Sequence, residues 1–329
     1  MKNKRSLVTG AAGFLGSHLV DQLIKLDHDV VAIDILPIEK WENLRHWEGS
    51  PKLFKISKDI TQIKPNGDDL GEIDYIFHLA GKEGPTQSLI DPTTFFNTNV
   101  IGTLKALELA RNLRPSKFVF ASSFDIYGKA NTPTLETDDL APTNPSALSK
   151  KNAEELVFHW SKVFDFEATA LRIFEAYGPR CKDAENFGSG FGAWMNQIQN
   201  QQPLTFCGEK GKLVDFIYCT DVANAFVTAA TQGKNGEAYN IGSGKPHSYE
   251  EVATLLKASH YEVTLSAAHS SDVWADISKF QFDSNWQPRV PLSKGFEFSL
   301  EDSEQWKGTK KWNSKDLHHF LEPWTKISN

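Results

Sequence analysis

The amino-acid sequence predicts an α/β fold, a doubly wound parallel sheet with a smaller C-terminal lobe, and three observations carry that prediction. A glycine-rich run, Thr9-Gly10-Ala11-Ala12-Gly13-Phe14-Leu15-Gly16, stands between a buried strand signal at Leu7 and Val8 and an amphipathic helix carrying Leu15, Leu19 and Leu23. A second apolar run, Val30-Val31-Ala32-Ile33, ends in Asp34, about 20 residues past the last glycine. Strand and helix signals then alternate, the pattern of a parallel sheet covered on both faces.

The first strand, turn and helix have the chemistry of a dinucleotide site. Gly10 permits the tight turn, Gly13 lets backbone approach a pyrophosphate, and Gly16 lets helix and strand pack closely, with the helix N-terminus facing the anion. Asp34 offers an acceptor to an unmodified ribose and repels a 2′-phosphate. No Arg follows it closely and only Lys40 lies nearby, so the cofactor read from these residues is NAD rather than NADP. Further strands are expected at 53–56, 75–79, 117–121 and 168–174, with helices at 93–112 and 146–164. Ligands of such sheets bind beyond the carboxyl ends of the strands. That rule selects Asp59 and Ile60, then Leu79, Ala80 and Gly81, then Ser122 and Ser123, and a turn at Phe174 and Glu175.

Beyond residue 178 the alternation loosens, with a loop expected at 186–192 and turns at 208–211 and 242–246. The expected division is a dinucleotide-binding domain over 1–178, joined by a returning segment at about 214–242, and a substrate lobe formed mostly by 179–329. A chain of 329 residues with 40% hydrophobic residues buries an ample core. Its formal charge of −7 argues against nucleic acid or an anionic membrane as partner. The N-terminus runs straight into the first strand without a signal-peptide pattern, and no apolar stretch reaches spanning length, so the expected location is the cytoplasm. Cys181, Cys207 and Cys219 lack metal or disulfide spacing and read as reduced structural thiols, and the ten histidines, His318 and His319 included, form no ligand motif.

These motifs resemble the extended short-chain dehydrogenase/reductases, and among them the NAD-dependent nucleotide-sugar epimerases and dehydratases. The resemblance rests on 9–16, on Phe77-His78-Leu79-Ala80-Gly81, on 97–103, on Ala121-Ser122-Ser123-Phe124-Asp125-Ile126-Tyr127-Gly128, and on 171–179, 214–222 and 239–244, all in the family's order. It implies a Rossmann fold and a transient keto sugar formed by hydride transfer to NAD. It also implies that Asp59 and Ile60 flank the adenine, that Asn99 positions backbone near the cofactor, that Ala121 and Ser122 border it, and that Ile173 and Phe174 line the nicotinamide side. Ser123 takes the place of the family's catalytic hydroxyl and Lys150 that of the ribose-holding lysine. A homodimer is implied too, two helices from each subunit forming a four-helix bundle through 93–112 and 146–164. The first of these carries Val100, Leu104, Leu107 and Leu109, a surplus of apolar residues.

The chain departs from the family in its chemistry. Four residues before Lys150, where a tyrosine is usual, stands Ser146. A phenol begins near pKa ~10 and is lowered by neighbouring positive charge into a useful base; a serine hydroxyl begins several units higher and is shorter. Glu175 replaces a usual Asn, and Val214 replaces a usual phosphate-binding Arg, so a diphosphate loses charge-assisted contacts. Arg172, Arg180, Lys182, Lys210, Lys212 and Arg289 are candidate replacements. Asp125 lies two residues after Ser123, at the offset of a catalytic Glu in the 4,6-dehydratases, and with Glu175 is a candidate acid or base. His78 reads as a core histidine and Tyr127 as a packing or substrate contact. Three readings stay open: an enzyme with a rebuilt acid–base group, an inactivated or engineered variant of an ordinary epimerase, and a non-enzymatic NAD-binding protein. The substrate is a sugar or sugar nucleotide in the first two.

Overall fold

In the computed structural model, which describes residues 3–64, 70–181, 190–209, 211–258, 260–264, 272–301, 306 and 322–324, seven parallel strands form the central sheet. They are β1 (Arg5–Thr9), β2 (Asp29–Asp34), β3 (Leu53–Ser57), β4 (Tyr75–His78), β5 (Lys117–Ser123), β6 (Ala168–Ile173) and, after β7 (Glu175–Tyr177), β8 (Leu204–Cys207) and β9 (Leu213–Tyr218), the returning strand β10 (Glu237–Ile241). Their order is β10-β6-β5-β4-β1-β2-β3. The chain therefore runs outward from β1 through β2 and β3, then crosses back to β4 on the other side of β1. That reversal opens a crevice at the carboxyl ends of β1 and β4.

Period-two alternation distributes the strand side chains between two cores. Val8, Val30 and Ala32 face one cluster, with Leu19 and Leu23 of helix Phe14–Lys25 and Val222, Ala225 and Phe226 of helix Cys219–Gln232. Leu7, Val31 and Ile33 face the other, with Leu107 and Leu109 of helix Gly102–Leu113 and Ala153 and Val157 of helix Pro145–Phe164. Two of the apolar residues expected to serve an interface, Leu107 and Leu109, are thus fully buried within the subunit.

The helix expected over 93–112 is three pieces: Pro92–Phe96, a π-type turn Asn97–Ile101, and Gly102–Leu113. The wide turn accompanies Asn99, whose amide is drawn toward the Lys82 backbone. The helix expected over 146–164 runs Pro145–Phe164, started by the Asn144 side chain accepting from Ala147 N (2.9 Å) and by Pro145 in its first turn. Glu175 is not in a turn but opens β7, which pairs with β9. Of the loop expected at 186–192, residues 186–189 lie outside the described residues; Gly190 to Gly192 begin the helix Gly190–Gln199, whose Phe191, Trp194 and Met195 enter a third apolar cluster. Glycine content concealed that helix.

That third cluster joins Leu204 and Phe206 of β8, Phe216 and Tyr218 of β9, Tyr249, Phe296 and Trp306. The strand β11 (Pro246–Ser248) completes a β11-β9-β7 sheet, and β12 (Tyr261–Thr264) pairs with β8. Buried Asp215 accepts from Ser243 N (2.7 Å), Gly244 N (2.9 Å) and Ala275 N (3.1 Å), fixing the turn after β10. No helix among the described residues is long and apolar enough to cross a membrane.

Candidate active site

A cavity of about 430 Å³ lies over the carboxyl ends of the central strands. Its first wall is the glycine turn. Gly10 sits at φ +67°, and a Cβ there would stand 2.8 Å from Ala80 N. A Cβ on Gly16 would fall on the Gly10 carbonyl oxygen, whereas one on Gly13 would meet only that oxygen, at 3.3 Å. Gly10 and Gly16 thus close the turn from within. Gly13, at the helix N-cap, leaves its outer face open to the cavity beside Phe14 and Leu15. That bare cradle at a helix start fits a pyrophosphate.

Asp34 borders the same cavity at the end of β2. Its Oδ2 accepts from Ala12 N (2.9 Å) and its Oδ1 from Leu36 N (3.0 Å), which fixes the carboxylate while leaving each oxygen a second lone pair for a ribose hydroxyl. Asp59 and Ile60 lie along the wall after β3, and Leu79, Ala80 and Gly81 after β4. The residues present therefore fit a dinucleotide.

At the far end, Ala121, Lys150, Ile173 and Phe174 line the cavity. Lys150 Nζ donates to Ala121 O (3.0 Å), lies 3.6 Å from Glu83 Oε1, and would be 3.0 Å from a Cβ on Gly81. Asn99 is off the lining, but its Oδ1 accepts from Lys82 N (2.7 Å) and its Nδ2 donates to Lys82 O (2.9 Å), holding the loop that does line it. Ser122 is off the lining as well; Ser123, next in β5, faces the cavity, as strand alternation requires. Ser123 Oγ accepts from Asp125 N (3.3 Å), so its own proton remains free for another acceptor.

Asp125 and Glu175 both line this cavity. Burial, then the Glu83 charge, pushes the Asp125 carboxyl up to about 7 against the pull of Lys212. Burial, then Asp125, pushes Glu175 up to about 7, with Lys212 again opposing. Two carboxyl groups with raised pKa values thus line the same cavity as Ser123. Ser146, by contrast, is buried at 3% exposure in the first turn of its helix and is not among the lining residues.

Several proposed replacement cations are engaged elsewhere. Arg172 NH2 donates to Glu154 Oε1 (2.6 Å) and its NH1 to Tyr127 Oη (2.8 Å) and Glu136 O (3.0 Å), a buried structural network in which Tyr127 also donates to Asn240 Oδ1 (2.7 Å). Arg180 pairs with Asp21 at 2.8 Å. Arg289 is exposed, and Lys182, Lys210 and the histidine pair 318–319 lie outside the described residues. His78 is a core residue: its Nδ1 pairs with Thr9 Oγ1 (2.7 Å) and its Nε2 with Thr103 Oγ1 (3.0 Å), and burial lowers its pKa to about 3.

Sequence reading passed over Glu83, Lys58 and Cys181, all of which line the cavity, and weighed Lys212 only as a phosphate ligand. Glu83 could have been found: it follows a strand end in the loop that the carboxyl-end rule already selects. Cys181 carried no such signal, because it comes from a segment with no clear periodicity.

The fold and the cavity define a dinucleotide-dependent enzyme of the doubly wound class. Residues 6–242 match the NAD dependent epimerase/dehydratase family, and the chain belongs to it, with NAD as cofactor. The chain is similar to a putative UDP-glucose 4-epimerase of Methanocaldococcus jannaschii, 31% identical over 304 residues that span 88% of this chain and 95% of the relative. It is also similar to the UDP-glucose 4-epimerase of Mycolicibacterium smegmatis, 30% identical over 90% of this chain and 97% of the relative. The UDP-glucuronic acid 4-epimerase of Bacillus cereus, solved with UDP-glucuronic acid and NAD, aligns with a TM-score of 0.82 at 29% identity, covering 92% of this chain and 99% of its own.

Proposed function

We propose that this protein is an epimerase or dehydratase acting through a transient ketone on a sugar or sugar nucleotide, with carboxyl groups in place of the family's phenol. The observation that carries this reading is the pair Asp125 and Glu175, both on the cavity wall and both pushed to about 7, where the Ser146 side chain is off that wall. NAD, when bound, supplies the site that takes hydride from the sugar carbon and returns it. Gly13 and the helix start hold its pyrophosphate, Asp34 its adenosine ribose, and Lys150 its nicotinamide ribose.

Ser123 donates its proton to the reacting sugar oxygen while its own oxygen stays fixed by Asp125 N. One carboxylate of the pair takes the hydroxyl proton as the carbon is oxidised and returns it on reduction, the role a group with pKa near ambient pH performs best. Val214 is apolar and Arg172 and Arg180 are engaged, so among the described residues Lys212 is the cation that shares a pocket with position 214. We further propose that two subunits pair through helices Gly102–Leu113 and Pro145–Phe164, where Leu148, Val163 and Phe164 remain exposed, as does Ile101 at the end of the preceding π-type turn.

The test is reduction of bound NAD, followed by absorbance, on mixing with a panel of sugars, sugar phosphates and sugar nucleotides. Reduction by at least one member, reversed as product forms, is expected. A protein that binds NAD and shows no reduction or product with any sugar class is the non-enzymatic reading.

A further inference from the structure

Glu83 and Lys150 both line the main cavity, and the fold fixes them against each other. The Lys150 Nζ donates to Ala121 O (3.0 Å), lies 5.6 Å over the Phe120 ring and stands 3.6 Å from Glu83 Oε1. Asn99 ties the two segments together. Its amide grips N and O of Lys82, the residue before Glu83, and its Nδ2 also donates to Oγ of Ser149, the residue before Lys150 (2.8 Å). Ser149 is fully buried and passes its own proton to Ser146 O (2.7 Å).

The Lys150 side chain is 5% exposed and that of Glu83 is 65% exposed, so the carboxylate meets the ammonium from the solvent side of the pair. An ion pair with one such open partner adds little to stability. Its field reaches further. After burial, the Glu83 charge is the next cause raising the Asp125 carboxyl, and it is the last of those raising Glu175.

An unopposed ammonium beside a nicotinamide ribose favours the reduced nucleotide, because the oxidised ring carries a positive charge and the reduced ring carries none. A carboxylate on the same ammonium opposes that bias. An enzyme that borrows and returns a hydride in each cycle needs its nucleotide oxidised at rest. We propose that Glu83 is the counter-charge to Lys150 that keeps the bound nucleotide in its oxidised form. It is a positioning residue, acting through the field at Lys150. The inference rests on the reading that Lys150 holds the nicotinamide ribose.

The test equilibrates the protein with an equimolar excess of NAD and NADH at pH 6, where Asp125 and Glu175 are mostly protonated. The protein is then separated from free nucleotide, and the ratio of bound NAD to bound NADH is read by chromatography after release. Glu83→Gln should lower that ratio by about threefold or more. Glu83→Asp, which keeps the charge, should lower it less, and added salt should narrow the gap between wild type and Glu83→Gln. Lys150→Met should raise the ratio.

A ratio unchanged or raised in Glu83→Gln would overturn the proposal. So would a loss of total bound nucleotide with the ratio intact, which marks Glu83 as a support for the loop only. If Lys150→Met leaves the ratio at the wild-type value, the placing of Lys150 beside the nicotinamide fails and takes this inference with it. If Lys150→Met raises the ratio while Glu83→Gln does not lower it, the inference alone fails. Should Lys150→Met hold no nucleotide, the comparison of wild type with Glu83→Gln still decides.

Discussion

At Asp125 and Glu175 the chain keeps two carboxyl groups where ionising them is costly, and the sign of that cost can be measured. Their pKa values, about 7 in the fold, exceed the ordinary 3.8 and 4.5. Near pH 4 and below, folded and unfolded chains carry similar protons there. As pH rises from there to 7 the unfolded chain ionises first, so stability is lost across that window and stays lower above it. Glu175→Gln should therefore stabilise the protein at pH 8 by on the order of 1–3 kcal/mol and change little at pH 4, as read by urea unfolding. A destabilisation at pH 8 would mean the carboxylate is satisfied by partners. Asp34 acts through its two acceptor oxygens: NAD should bind at least ~10-fold more tightly than NADP, and equal dissociation constants in titration would remove Asp34 as the selector, with Lys58 on the same cavity wall as the compensating cation.

The turn from β1 into helix Phe14–Lys25 separates glycines needed by the fold from the one needed by the ligand. Gly16→Ala would drive a methyl into the Gly10 carbonyl and should cost about 1–3 kcal/mol through overpacking. Gly13→Val, at φ −73° with a Cβ 3.3 Å from the Gly10 carbonyl oxygen, asks that carbonyl to give by a few tenths of an ångström, and should cost about 1 kcal/mol as a poorer N-cap while abolishing NAD binding. Thermal unfolding with and without NAD checks both; a Gly13 variant that still gains stability from NAD contradicts the assignment. Elements with a strong period were legible in the sequence: the strands at 53, 75, 117 and 168 begin where their apolar runs begin. The break at Asn97–Ile101 was not, because a side chain reaching to Lys82, 17 residues earlier, leaves no local pattern. The helix Gly190–Gln199 was hidden by its glycines, of which Gly190 packs on Trp194.

Across the whole molecule, the cofactor end of the cavity was legible because it follows from where parallel strands stop. The chemical end was legible only in part. Glu175 and Asp125 could be singled out as carboxyls near strand ends, but the push of Asp125 on Glu175, the opposing charge of Lys212 and the contribution of Glu83 join four separate segments and exist only once the chain is folded. The quaternary expectation moves from Leu107 and Leu109, which are spent in the core, to Ile101, Leu148, Val163 and Phe164. Light scattering at micromolar concentration should give a dimer, and Leu148→Glu with Val163→Glu should give a folded monomer; a wild-type monomer would contradict the pairing.

The central claim is that proton transfer belongs to the Asp125 and Glu175 carboxyls and not to position 146. Its most direct measurement compares turnover of the substrate found in the panel by the wild type, Ser146→Tyr, Asp125→Asn and Glu175→Gln. At least one carboxamide variant should lose ~10²–10⁴-fold, the worth of a positioned acid or base, with NAD affinity unchanged, and Ser146→Tyr should leave activity equal or lower. A gain of that size from Ser146→Tyr, with both carboxamide variants fully active, would contradict the account and mark the chain as an ordinary epimerase that has lost its phenol.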